Sequence, residues 1–464
     1  MKSILIILFS LILGGFAGSG QAADSFRMPD FERVQLDNGL TLYLMEQHEV
    51  PLVSVAAFVR AGAALDGEQM GLASMTGDGL LFGTEKLSKK AVEDTFEFVG
   101  ANLEASVASD YSVLSMSSAN KDLGELLPVF ADLLTKPGFD AGEFDKHQTR
   151  TLARLQQRRE SPRAVIGDYF DRAMFGNQGY GNPVSGTQTS VGALKPAHLA
   201  AFHRDWYQPD NVAVVVVGDF GTPDMIARLE KQFGAWQGKS RSRPAAKGAL
   251  RQRDGNQVVI VNKGDAREST FLIGGAGITR SNPDYVPLQV INTVLGGRFT
   301  SWLNDELRVN SGLTYGASSR FNALADAGTF AISTFTKTDT TEAAMDLALD
   351  TYQRLWTRGI DKETLESAKN YVKGQFPPDF ETNSQLAGLL GQMFIFGFGP
   401  EFINDFERQV DSLTAGKARK LIDEHFPKQN LQFVVIGEAG AIADLMKKYG
   451  TVSRYEIEAD QYGD

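Results

Sequence analysis

Metal and nucleophile chemistry draws on cysteine, histidine and clustered carboxylates, and this sequence is sparing with the first two. It has no cysteine, which excludes thiolate nucleophiles, thiolate ligands, disulfides and a lipid-modified N-terminal cysteine. Five histidines remain. His198 and His203 are five positions apart, off one helical face, and His48, His147 and His425 stand alone. Each reads as an ordinary surface or hydrogen-bonded residue rather than a ligand. The more informative spacing lies between Gly71 and Thr84, Gly-Leu-Ala-Ser-Met-Thr-Gly-Asp-Gly-Leu-Leu-Phe-Gly-Thr. Ser74 and Asp78 stand at i and i+4, so a helix would put them on one face. Serine is a poor zinc ligand, and one carboxylate does not hold zinc alone. Gly77 has no side chain to act as a base. Gly77 and Gly79 each weaken a helix by about 1 kcal/mol relative to alanine.

The outer residues of this stretch resemble the signature of the M16 (insulinase/pitrilysin) zinc peptidases. In that family the frame Gly-Leu-Ala…Leu-Phe…Gly-Thr encloses an inverted zinc motif, His-x-x-Glu-His. Two imidazoles one helical turn apart grip the metal, and the glutamate takes a proton from metal-bound water. By position Ser74 and Asp78 replace the two histidines and Gly77 replaces the base. The family's third ligand, a glutamate on a later helix, falls on Arg154. The resemblance therefore implies a zinc site with all three ligands and the base lost. It also places Asp78 and Arg154 in facing positions, where opposite charges are expected to pair.

A second run carries the resemblance into the other half of the chain. Leu295-Gly-Gly-Arg-Phe-Thr-Ser-Trp-Leu-Asn-Asp-Glu-Leu-Arg-Val-Asn-Ser-Gly-Leu-Thr-Tyr315 is similar to the family's Leu-Gly-Gly…Ser…Leu…Leu-Arg-Glu…Gly-Leu-x-Tyr. Val309 departs from the glutamate after the arginine. The family's arginine and tyrosine, which hold the substrate backbone and steady the oxyanion across the cleft, fall on Arg308 and Tyr315. The residues themselves fit a helix from about Thr300 to Asn310, ended by Gly312, with a strand from Thr314. A guanidinium offers several donors to a peptide carbonyl, and a phenol can donate to developing negative charge. They equally fit an Arg308–Asp305 ion pair and a Tyr315 packed in a sheet.

These residues need elements to position them. Asn38-Gly39 marks a hairpin inside Val34–Leu44. Val53–Val59 and Tyr111–Met116 alternate as strands. Ser88 caps a helix with Val92, Phe96 and Val99 on one face, and helices follow over Leu123–Leu134 and Ala141–Arg159. Asn211–Asp219 is a buried strand, and Asn430–Glu438 echoes it; Phe271–Ala276 opens the second half as Val53–Phe58 opens the first. A repeat this long indicates duplicated domains. The expected fold is α+β, with two similar domains, each an antiparallel sheet with helices packed on one side, as the resemblance also implies.

The chain has 464 residues, 42% hydrophobic and 22% charged, the composition of a globular protein of about two to four domains. A net charge of −11 argues against nucleic acid, whose phosphates would repel it. Lys2, an apolar core over Ile4–Ile12 and Gly20-Gln21-Ala22 read as a secretory signal over residues 1–22. The expected organisation is then a domain over 23–238 with the degenerate zinc site, a basic linker over 239–256, and a domain over 257–464 carrying the Arg/Tyr pair. The resemblance implies a non-catalytic subunit of a heterodimeric metallopeptidase, with no metal of its own. A zinc-bearing partner would supply metal and base, and extended peptides would be the substrates. The protein would be exported, to the periplasm in a host with two membranes, and free of the membrane after cleavage. A structural or peptide-binding relative without any peptidase role is the alternative.

Overall fold

The computed structural model describes residues 27–242, 250–251, 254–460 and 462. The signal expected over 1–22 lies outside these residues, as do 243–249 and 252–253 of the expected linker.

Among the described residues, twelve strands form two six-stranded sheets. The first contains β1 (Glu32–Gln35), β2 (Thr41–Glu46), β3 (Leu52–Val59), β4 (Asn102–Val107), β5 (Ser112–Ala119) and β6 (Val212–Gly218), in the order β1-β2-β6-β3-β5-β4. The second contains β7 (Gln257–Asn262), β8 (Glu268–Ala276), β9 (Ala317–Ala323), β10 (Gly328–Lys337), β11 (Gln432–Gly437) and β12 (Thr451–Glu456), in the order β12-β7-β11-β8-β10-β9. The duplication is plain in this order. β6 and β11 hold the same place, as do β3 and β8, β5 and β10, and β4 and β9. Most junctions are antiparallel, as expected. The exceptions are β2 beside β6 and β7 beside β11 and β12, which run parallel.

The sheets differ at one edge, for a reason of chain length. β1 and β2 are joined by a short loop in which Gly39 adopts φ +93°, so they pair antiparallel, Gln35 opposite Thr41. β12 arrives after the Ala439–Met446 helix, and a crossover of that length permits a parallel pair with β7.

Each sheet is covered on both faces. Leu42, Leu44, Val53, Val55, Ala57, Val214 and Val216 face helices of their own half. The alternate residues Ala56, Phe58, Ala213 and Val215 join the core of the second half. The element that reaches them is the Asn383–Phe396 helix, which lies on β3 and β6. Gly391 permits the approach: a Cβ there would stand 2.2 Å from the Phe58 ring. The exchange is reciprocal. The Pro162–Phe175 helix of the first half lies on β8 and β11, with Phe170 against Gly274. A central strand buried on both sides loses the alternation of a half-solvated one, which explains the unbroken Val-Ala-Val-Val-Val-Val of β6.

Polar contacts fasten the halves further. Buried Asp110 accepts from the Tyr180 hydroxyl and, at 2.9 Å, from the Ala325 amide; the Tyr180 oxygen accepts from Asp326 N at 3.1 Å. Asp460 accepts from Arg159 and from the amides of Gln188 and Thr189.

Candidate functional site

The Leu72–Leu80 helix follows β3, and a buried carboxylate fixes its start. Asp66 accepts from Gly71 N at 2.7 Å and Ala73 N at 2.8 Å, satisfying donors a helix leaves open. Gly71 takes φ +86° to make the entry. All residues of the helix are buried except Ser74 and Asp78, so the positions one turn apart form its single open face. The glycines that weaken the helix in isolation are packing devices here. A Cβ on Gly77 would stand 2.6 Å from Val107 Cγ2 of β4, and one on Gly79 would stand 3.0 Å from Leu199 and Phe139.

The expected pairing of Asp78 with Arg154 does not occur. Both Arg154 and His147 lie on the Ala141–Arg158 helix, but His147 is the one that meets Asp78, Nε2 to Oδ2 at 2.9 Å. Arg154 is exposed and donates to Thr151 Oγ1 at 2.9 Å. The imidazole is well covered and packs against the Phe82 ring, so the buried neighbour takes the carboxylate and the long arginine stays in water. His147 thus does not stand alone, which spacing could not reveal across such a separation.

The other histidines are each engaged separately. His48 bridges Asp219 at 2.8 Å and Glu46 at 3.1 Å, and the hydrogen bond to Asp219 first, then that to Glu46, holds its pKa above the ordinary value. His203 meets the Leu134 carbonyl at 2.8 Å, and burial pushes it down to about 4. His425 meets Asp284 at 3.1 Å. Among the described residues no three His, Asp or Glu side chains stand close enough to share a metal ion. The donor set at the former ligand positions, a hydroxyl, one carboxylate and a guanidinium, does not fit zinc.

The second run lies in irregular helix. Thr293–Gly297 and Asp305–Asn310 are both π-helical, a geometry that is uncommon and frequent at functional sites. The helix expected from about Thr300 opens at Trp302, after Ser301, and no side chain caps it. β9 begins at Ala317 rather than Thr314. Arg308 makes no ion pair with Asp305; its guanidinium lies over the exposed Phe299 ring, 4.5 Å from the centroid. Tyr315 is not packed in the sheet. It is 82% exposed, on a turn stapled from below. Thr314 Oγ1 accepts from Gly316 N at 3.1 Å, Thr334 Oγ1 donates to the Gly316 carbonyl at 2.9 Å, and Asn304 Oδ1 accepts from Ala317 N at 3.0 Å. The phenol is thus held outward, open to solvent, on a braced turn. The bracing by Asn304, Thr314 and Thr334 carries no signal in the sequence, where Thr314 reads as the start of a strand.

This fold, with its paired sheets and exchanged helices, is that of a zinc-peptidase family, and sequence comparison agrees. The model for insulinase (peptidase family M16) matches residues 42–188, and that for the peptidase M16 inactive domain matches 193–372. The chain belongs to the M16 family. Among its relatives, a Bacillus subtilis protein named as an uncharacterized zinc protease, YmxG, is 23% identical, over 85% of this chain and 96% of its own. A Helicobacter pylori protein named as a non-peptidase homolog is 24% identical, over 94% and 98%. A solved structure of a peptidase M16 inactive domain from Pseudomonas fluorescens superposes with a TM-score of 0.81 at 24% identity, covering 88% of this chain and 98% of that one.

Proposed function

We propose that this chain is a non-catalytic subunit of a heterodimeric M16-type metallopeptidase. The partner subunit would carry zinc and the general base in its first domain, and this chain would lend Arg308 and Tyr315 from its second. The supporting observation is the contrast between the two sites: Ser74, Gly77, Asp78 and Arg154 offer no metal chemistry, while Tyr315 is presented outward on a braced turn. Arg308 would hold a peptide carbonyl and Tyr315 would donate to the oxyanion. Extended peptides are the expected substrates, added as a strand to a sheet edge of the partner. The leader-like N-terminus fits an exported, periplasmic protein.

The test is to purify the tagged chain alone and together with the zinc-bearing M16 subunit from the same source, and to follow cleavage of an unfolded protein. The pair should cleave and the lone chain should not; cleavage by the lone chain would falsify the division of labour. A structural or peptide-binding role without proteolysis is the second reading. One observation favours it: the Arg308 guanidinium is already engaged by Phe299. A pair that assembles yet stays inactive whatever the substrate would select it.

A further inference from the structure

Arg280 is an arginine without an anion. Its side chain makes no hydrogen bond or ion pair among the described residues, and its Nη1 is buried with no partner. Three rings surround it instead, with centroids 4.1 Å (Tyr285), 4.8 Å (Phe398) and 4.5 Å (Phe402) from Cζ. Cation–π contact recovers only part of the hydration a guanidinium loses, and burial lowers its pKa. Buried donors are nearly always satisfied, so this one requires an explanation.

The explanation lies beside it. Arg280 lines a cavity of about 600 Å³, the size of a small-ligand site, between the Tyr285–Asn292, Lys362–Gln375 and Asn383–Phe396 helices. Rings of Tyr285, Phe376, Phe402 and Phe406 wall it, and the Gln289 and Gln392 amides, which have no hydrogen-bond partner among the described residues, line it as well. The one acid in the lining, Asp379, is exposed and makes no ion pair with Arg280. Its charge opposes an incoming anion, and its exposure to solvent screens that repulsion.

We propose that this cavity binds a single carboxylate carried on an apolar body, with Arg280 receiving the anion and the rings taking the body. The C-terminal residue of a hydrophobic peptide is the source assigned here, a choice that rests on the peptidase-subunit reading; a free aromatic acid shares the chemistry. Thr293, which opens the π-helical segment leading toward Arg308, lines the same cavity.

Calorimetric titration of the full chain tests this with N-acetylphenylalanine, a hexapeptide ending in phenylalanine, and the C-terminal amide of each. The free acids should bind at least tenfold more tightly than the amides, and the peptide acid more tightly than N-acetylphenylalanine. Arg280→Met keeps the bulk among the rings and removes the charge. It should abolish the acid preference while leaving Tm unchanged or higher, because a half-buried charge with no anion partner among the described residues is gone. Gly388→Leu is the second variant. A Cβ there meets no atom within 4 Å, so the side chain enters open space and should weaken binding of both acids without unfolding the chain. Equal binding of acid and amide, no binding at millimolar concentration, or Arg280→Met lowering Tm with binding intact would overturn the site. If N-acetylphenylalanine binds as tightly as the peptide, the peptide assignment falls and the anion site stands. No readout depends on proteolysis, so the result is separate from the existence of a zinc-bearing partner.

Discussion

Asp78 Oδ2 and His147 Nε2 lie 2.9 Å apart, joining the helix that would bear two zinc ligands to the helix that would bear the third. On the reading proposed above, this polar pair stands where a zinc peptidase would have a metal bridge between the two elements. A double-mutant cycle of Asp78→Ala and His147→Ala should give a coupling of about 0.5–1 kcal/mol in urea unfolding. Arg154→Ala should change stability by no more than about 0.5 kcal/mol and show no coupling to Asp78. Measurable coupling between Asp78 and Arg154 would mean that the pairing seen here is not the one that holds in solution.

Packing closes position 77, where the resemblance places the family's base. Val107 of β4 fills the space a side chain at position 77 would need. Gly77→Glu should therefore destabilise the protein by about 2 kcal/mol through overpacking, and Val107→Ala should recover at least half of that. Restoring the motif with Ser74→His, Gly77→Glu, Asp78→His and Arg154→Glu should yield zinc binding only when Val107→Ala is included. Stoichiometric zinc in the fourfold variant with Val107 intact would show that the strand yields readily.

Asp66 carries the entry to that helix through two amide bonds from a nearly buried carboxylate, 5% exposed. Asp66→Ala leaves both amides unpaired, and chemical denaturation should report a loss of about 2 kcal/mol. A loss below about 0.5 kcal/mol would show that the helix start is held by its packing alone.

Asp171, half-buried on the Pro162–Phe175 helix, gives a pH dependence. Burial first, then the neighbouring Asp168, raise its pKa from 3.8 to about 7, against the pull of Arg320. The folded chain holds this proton up to about pH 7, whereas the unfolded chain gives it up near 3.8. Its contribution is therefore present below pH 4 and is lost as pH rises through 7. Asp171→Asn should raise Tm by roughly 2–4 °C at pH 8 and bring no gain at pH 4. His203, pushed down to about 4 by burial, acts in the opposite sense between pH 6.5 and 4, so variant and parent are compared at each pH. A gain that is the same at both ends would exclude Asp171 titration as its cause.

Much of the architecture could be read from local signals. Asn38-Gly39 placed the first hairpin, Ser88 capped its helix through Ala91 N at 3.3 Å, and the valine run of β6 with its echo in β11 revealed the duplication. β4 was missed although Asn102, Glu104 and Ser106 face out and Leu103, Ala105 and Val107 face in; the run is only six residues long and starts two residues after Gly100. The exchange of helices between halves was equally hidden, because an apolar face records that something is covered and not which sheet covers it. At the site, Arg308 and Tyr315 were singled out by the resemblance of their run to the family's. Their surroundings were not, since the Phe299 stack, the threonine braces under Tyr315 and the His147–Asp78 bond are all tertiary. Arg280 had no sequence signal, because a half-buried cation with no anion partner among the described residues is recognised only by its tertiary surroundings.

The account turns on whether Arg308 and Tyr315 act on a substrate held by another subunit. The direct measurement is kcat for peptide cleavage by the reconstituted pair, with wild-type chain, Arg308→Ala and Tyr315→Phe, at matched assembly judged by sedimentation. Removal of one oxyanion donor should lower kcat about 100-fold with the complex intact, and loss of both groups should leave the zinc content of the partner unchanged. A pair whose kcat is the same with all three chains would contradict the proposal.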